Sequence, residues 1–226
     1  MIKLVCLDYA GAILQLKGNE LKRMFTVLAE NSRLKSEEEA AEWIHTTWDA
    51  LEHQNTGENA VSEMELFEKM MNKADIEIQM RCDHNLMRTL FSDYRMYGPI
   101  GNDVKEFIEH CPLPVYITAM NDATYVNVCL RRNGLHVNGI VSAERTPLKY
   151  STASLLQEAQ NMFGCSPDEI MYVGRHPKRD IIAASDFGAS AVLLDRRSKY
   201  RGSDCRRVRS LIELLPQLIK ETEAVQ

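Results

Sequence analysis

The chain has 226 residues and is 45% apolar, enough to bury one large core, or a core and a smaller companion, without disulfide or metal staples. A net charge of −5 argues against generic nucleic-acid binding, and no stretch approaches the ~18 unbroken apolar residues that a membrane helix requires. The six cysteines are scattered, with no CxxC or Cys/His cluster, and no long apolar h-region opens the chain; reduced thiols and a cytoplasmic location are therefore expected.

Residues Ile2 to Leu7 form a short apolar run rich in branched side chains, which predicts a strand buried on both faces of a parallel sheet. From about Asn19 to Tyr97 the period changes. Leu21, Met24, Phe25 and Leu28 recur at helical spacing, as do Ala41, Ile44, Trp48 and Leu51, then Met64, Phe67 and Met71, then Leu86, Leu90 and Phe91. Ser36 with Glu39 and Ser62 with Glu65 read as capping boxes that open two of these helices. Trp43 and Trp48 read as packing residues of this helical stretch.

Past Gly98 and Pro99 helices and strands alternate, as in βα units. The pattern predicts a helix at Val104 to His110, a strand at Val115 to Thr118, a helix at Tyr125 to Asn133 stopped by Gly134, and a strand at Ile140 and Val141. A helix from Ser151 to Phe163, a strand from Ile170 to Val173, a helix from Ile181 to Phe187, a strand from Ala191 to Leu194 and a helix from Leu211 to Ile219 complete the series. The segment Arg196 to Arg209 carries seven basic residues and reads as a solvated loop, with contact to anions as the alternative.

Strands separated by helices, with an all-helical insert near the start, imply a doubly wound parallel sheet carrying a lid. Ligands of such sheets bind beyond the carboxyl ends of the strands. Asp8, Thr118 and the Gly174-Arg175 segment all fall just past predicted strand ends. Together with Lys149 and Asp180 they form a set suited to phosphoryl transfer. A carboxylate attacks phosphorus, a hydroxyl and an ammonium group offset the charge of its oxygens, and a further acid helps hold a divalent cation.

These residues resemble the four motifs of the haloacid dehalogenase-like (HAD) hydrolase superfamily, in the branch with a helical cap between motifs I and II. Leu4-Val-Cys-Leu-Asp8-Tyr-Ala-Gly-Ala12 is similar to motif I, Val115-Tyr-Ile-Thr118 to motif II, Ile140 to Lys149 to the stretch ending in the motif III lysine, and Met171 to Asp180 to motif IV. The resemblance implies an α/β fold: a Rossmann-like core of residues 1–16 and 98–226 and a helical cap of residues 17–97. It also implies Asp8 as nucleophile, Thr118 and Lys149 as catalytic partners, and a small phosphorylated or anionic molecule as ligand, with neither nucleic acid nor membrane as partner. Tyr9, Gly11, Ala119, Arg175 and His176 are the expected substrate contacts, and Mg²⁺ is the family's cofactor, with Asp8 and Asp180 as its candidate ligands. No feature of the sequence specifies an oligomeric state.

Two positions depart from the pattern. Ala10 stands where most of the family's phosphatases carry the acid that protonates the leaving oxygen, and Arg175 stands where a motif IV aspartate would ligate magnesium. Arg175 either pairs with Asp8 and takes the place of the metal, or holds an anionic substrate with its five-donor fork. The chain is accordingly expected to be a HAD-like hydrolase of reduced or metal-independent activity, with a non-catalytic anion binder as the alternative. The Asp8-Tyr-Ala-Gly pattern also resembles the phosphonoacetaldehyde hydrolase branch, although no lysine of the helical stretch lies in a context like that branch's reactive one. The true dehalogenases match less well, since they carry tyrosine where Ala10 stands.

Overall fold

A computed structural model describes residues 1–15, 17–55, 61–120, 122–143, 151–202 and 204–224. The chain divides into two compact units, residues 1–15 with 100–226, and residues 16–99.

The first unit is built on six parallel strands: β1 (Leu4–Asp8), β2 (Val115–Ala119), β3 (Gly139–Ser142), β4 (Ile170–Gly174), β5 (Ser190–Leu194) and β6 (Arg207–Val208), in the spatial order β3-β2-β1-β4-β5-β6. Parallel strands need crossovers, here supplied by helices. These are α5 (Val104–His110), α6 (Ala123–Arg132), α7 (Thr152–Phe163) and α8 (Ala183–Phe187), numbered after the four helices of the insert described below, whereas α9 (Leu215–Glu223) follows β6 and joins no two strands. The unbroken apolar runs follow from burial on both faces. Val5 and Leu7 of β1 and Met171 and Val173 of β4 enter one core with Phe107, Val126 and Leu218, while Leu4, Cys6, Ile170 and Tyr172 enter another with Leu155, Leu156 and Ala184. Helix α7 starts at a Ser151/Ser154 capping box and stops at Gly164, whose φ of +79° suits glycine.

The second unit is helical: α1 (Asn19–Glu30), α2 (Glu37–Gln54), α3 (Glu63–Glu77) and α4 (His84–Tyr97). Helix α1 lies against α2 and α4, and α3 against the same two. Leu21, Met24, Leu28, Ile44, Phe67, Met71 and Leu90 fill its interior, where Phe67 stacks on Phe91 with ring centroids 4.4 Å apart. Ser62 and Glu65 form the expected capping box. Ser36 accepts the Glu39 N–H, but the Glu39 carboxylate reaches the N–H of Lys35 instead, leaving that box half formed.

Three local features were absent from the sequence reading. Strands β1 and β4 are each followed by a π-helical turn, Tyr9–Ile13 and Pro177–Ile182, and the basic segment after β5 contributes the short strand β6. Part of that segment is not solvated loop: Arg196 and Arg207 are ion-paired with Asp103 and Asp195. No described helix is long and apolar enough to cross a membrane.

Candidate active site

The strand order reverses at β1. Strands β2 and β3 extend the sheet to one side of it, and the chain then crosses to lay β4 on the other. Adjacent parallel strands whose following segments depart in opposite directions leave a crevice at their carboxyl ends, where doubly wound sheets bind ligands. Asp8 is the last residue of β1 and is only 4% exposed. It lies in register with Thr118 of β2, and the preceding Leu7 is in register with Val173 of β4, one residue before Gly174. The sheet therefore brings Asp8, Thr118 and the Gly174-Arg175 segment together from three distant parts of the sequence.

Two close approaches define the space beside Asp8. A Cβ added to Gly11 would stand 2.5 Å from Asp8 Oδ2 and 2.8 Å from Arg175 Cγ, so the Asp8 carboxylate and the Arg175 side chain both close on the turn after β1. Only glycine fits there. Gly174 is equally confined, since its Cβ would stand 2.6 Å from Asp180 Cβ and 2.9 Å from Tyr172 Cε1. The fully buried Thr118 hydroxyl donates to the Leu7 carbonyl at 3.4 Å, tying β2 to β1 one residue before Asp8.

Asp180 organises the loop after β4. Its Oδ2 accepts the backbone N–H groups of Arg175 (3.0 Å) and His176 (2.9 Å), and its Oδ1 accepts Arg179 Nε at 2.8 Å. His176 caps the π-helical turn, with Nδ1 accepting the Arg179 N–H at 3.1 Å. That bond leaves the proton of a neutral ring on Nε2. Burial pushes the Tyr172 phenol well above its ordinary pKa, and the negative charges of Asp180 and Asp8 add to the shift. Tyr172 is therefore a neutral wall behind the two carboxylates.

The residues do not fit the divalent cation that the sequence resemblance implies. Magnesium demands near-octahedral oxygen ligation, yet both Asp180 oxygens are committed to donors of the chain itself, and a guanidinium-bearing side chain stands beside Asp8. Among the described residues no group of three or more His, Cys, Asp or Glu could hold a metal ion. Asp180 thus shapes the Arg175-His176 backbone through the two N–H groups that its Oδ2 accepts.

Tyr9, expected as a substrate contact, is a core side chain. It is fully buried with Val126 and Cys129, and its hydroxyl donates to the Tyr125 carbonyl at 3.4 Å. Gly11, Ala119, Arg175 and His176 all lie at the carboxyl ends of β1, β2 and β4 or in the turns that follow. Lys149 lies outside the described residues. Sequence reasoning missed Arg179 and Tyr172. The adjacency of Arg179 to Asp180 was a signal for the first, whereas Tyr172 was hidden inside an apolar strand.

No protein-family model matches the chain, and no curated protein matches it. Solved structures do. An L-2-haloacid dehalogenase from Xanthobacter autotrophicus, with chloropropionic acid covalently bound, superposes with a TM-score of 0.74 at 13% identity, over 97% of this chain and 99% of that one. The HAD-type protein YfnB from Bacillus subtilis, bound to magnesium, gives 0.79 at 15% identity, over 96% and 99%. A HAD phosphatase from Thermococcus onnurineus gives 0.62 at 18% identity, over 96% and 98%. At such identities the likeness carries the fold: this chain has the haloacid dehalogenase-like α/β fold, with a helical insertion after its first strand.

Proposed function

We propose that the protein is a HAD-like hydrolase that uses Asp8 as nucleophile on a small phosphorylated or otherwise anionic molecule, independently of magnesium. The observation that carries this reading is the buried Asp8 carboxylate at the point where the strand order reverses, with the Arg175 side chain against the same glycine. In this reading an Asp8 oxygen attacks the electrophilic centre and the bond to the leaving group breaks; water then cleaves the aspartyl phosphate, or the aspartyl ester where the centre is carbon, and regenerates the carboxylate. Arg175 offsets the charge of the anionic substrate, the part played in the family by the cation.

Ala10 supplies no proton to the leaving group, a contribution typically worth ~10²–10⁴-fold. Turnover is therefore expected to favour leaving groups that depart without protonation, such as acyl and aryl phosphates. The solved dehalogenase with covalently bound chloropropionic acid makes 2-chloropropionate a necessary member of the substrate panel. A second reading, a non-catalytic anion binder, draws on the same two departures, Ala10 and Arg175.

The test is hydrolysis of phosphate esters, acyl phosphates and 2-chloropropionate by wild type and Asp8→Asn, in EDTA and in magnesium. Turnover in EDTA that Asp8→Asn abolishes is the expected result. No turnover on any substrate would overturn the hydrolase reading; a rise in melting temperature with phosphate analogues, without product, would then favour the binder.

A further inference from the structure

Four segments distant in sequence meet where the chain leaves and re-enters the α/β unit. Arg196, in the loop after β5, directs Nη2 to the Ala12 carbonyl (3.0 Å) and to Asp103 Oδ1 (2.6 Å). Asp103 Oδ2 accepts the Leu211 N–H at 2.7 Å and the Ser210 hydroxyl at 3.1 Å. The Gly101 N–H donates to the Ile13 carbonyl at 2.9 Å, and Leu14 bridges Ile100 in antiparallel fashion. A Cβ on Gly101 would stand 2.5 Å from Arg196 Nη2, so the junction closes only around glycine. The neighbouring Asp195 fixes the other side of the loop, accepting the N–H groups of Lys199 (2.8 Å) and Tyr200 (2.9 Å).

The consequence concerns Asp8. Ala12 belongs to the π-helical turn that begins directly after Asp8 and is closed by the Leu14 N–H on the Tyr9 carbonyl at 3.0 Å. Gly11 of that turn lies against Asp8 Oδ2. A displacement of the turn therefore displaces the floor on which the carboxylate rests.

We propose that Arg196 is a positioning residue for Asp8: through the Ala12 carbonyl, with Asp103 as counter-ion, it holds the turn that orients the nucleophile. The inference rests on the hydrolase reading above. Burial alone would raise the Asp103 carboxyl, but the bonds from Arg196 and the Leu211 N–H outweigh it and hold the carboxyl below its usual range, so Asp103 stays ionised near neutrality. Nη2 alone makes both bonds, at the end of a stem longer than that of lysine, so an ammonium group at this position reaches the two acceptors less well.

The experiment compares wild type, Arg196→Lys and Arg196→Met in the full chain, on the best substrate of the panel, with hydrogen exchange read at the amides of Leu14 and Gly101. In Arg196→Met, kcat is expected to fall about 10- to 100-fold with KM changed by no more than about twofold, the loss typical of a misplaced reacting group. Exchange at both amides should accelerate, and Arg196→Lys should recover part of kcat. An active wild type whose kcat is unchanged in folded Arg196→Met overturns the positioning role alone. If Arg196→Met does not fold, Arg196→Lys decides: a kcat equal to wild type overturns the proposal, and an intermediate kcat with faster exchange supports it. A wild type without Asp8-dependent turnover overturns the underlying reading, and the positioning role falls with it.

Discussion

In the helical unit the buried charges Arg95 and Glu63 are paired with each other across α4 and α3, amid aromatic rings. The Arg95 guanidinium carbon lies 4.9 Å from the Phe91 ring centroid and 5.2 Å from that of Tyr94. In the α/β unit the buried carboxylates Asp8 and Asp180 sit at or just past strand ends, and Asp180 is held by backbone N–H groups as well as by Arg179. The first arrangement is one side chain neutralising another inside a core. The second leaves a carboxylate beside a crevice and fixes the loop around it. Buried charge by itself is therefore no mark of a site; its position relative to the strand ends is.

The comparison breaks most visibly at Asp8. Asp8→Asn keeps the shape and removes the nucleophile, so turnover is expected to drop by roughly three orders of magnitude or more, with the melting temperature close to wild type. A folded variant that still turns over would show that Asp8 is no more chemical than Glu63.

The helical pair should show the opposite signature. Arg95→Met leaves Glu63 buried beside an apolar chain, and removing one partner of such a pair costs about 3–5 kcal/mol, readable in denaturant unfolding. Replacing both by Leu is expected to recover most of that loss, because well-packed apolar residues substitute for a buried pair.

Asp180→Asn stands between the two. It retains an oxygen for the Arg175 and His176 N–H groups but loses the charge that Arg179 meets, a charged hydrogen bond worth about 1.5–3 kcal/mol. Magnesium is expected to leave both the stability and the activity of the wild type unaltered, since both Asp180 oxygens are already engaged. Restoration of either by the ion would overturn the assignment of Asp180.

A surface pair gives the smallest effect. Lys3 bonds the Glu169 carboxylate at 2.6 Å, and this bond, with those from Ser166, holds the carboxyl down to about 2 against an ordinary 4.5. A carboxyl depressed on folding stabilises above its unfolded pKa and loses that contribution as pH falls through its folded one. Its share of acid sensitivity thus lies between about pH 4.5 and 2, and Glu169→Gln should flatten the unfolding profile slightly in that window.

Much of the fold was legible because burial on both faces writes itself into a strand. Val5, Leu7, Leu4 and Cys6 serve two cores, and the resulting apolar run has no other simple reading. The helices of the insert were equally plain from their spacing and from Ser62 and Glu65. The π-helical turns were not, since their i to i+5 bonds leave no period in so short a segment. Tyr9 was misplaced for a related reason. The turn re-aims its side chain from the strand end into the core, and adjacency to Asp8 says nothing of that rotation.

The sequence by itself determined the alternation of strands and helices, the helical insertion, and the placement of Asp8, Thr118 and Arg175 at the carboxyl ends of strands, because these depend on local period and on residues in order. Only the tertiary structure decided which donors meet Asp180, where Tyr9 points, and that Arg196 reaches Ala12 across 184 positions of sequence. A hydrogen bond at that separation is specified by the register of β1 against β4 and of β4 against β5 and by the turns that leave them, and no local pattern encodes it.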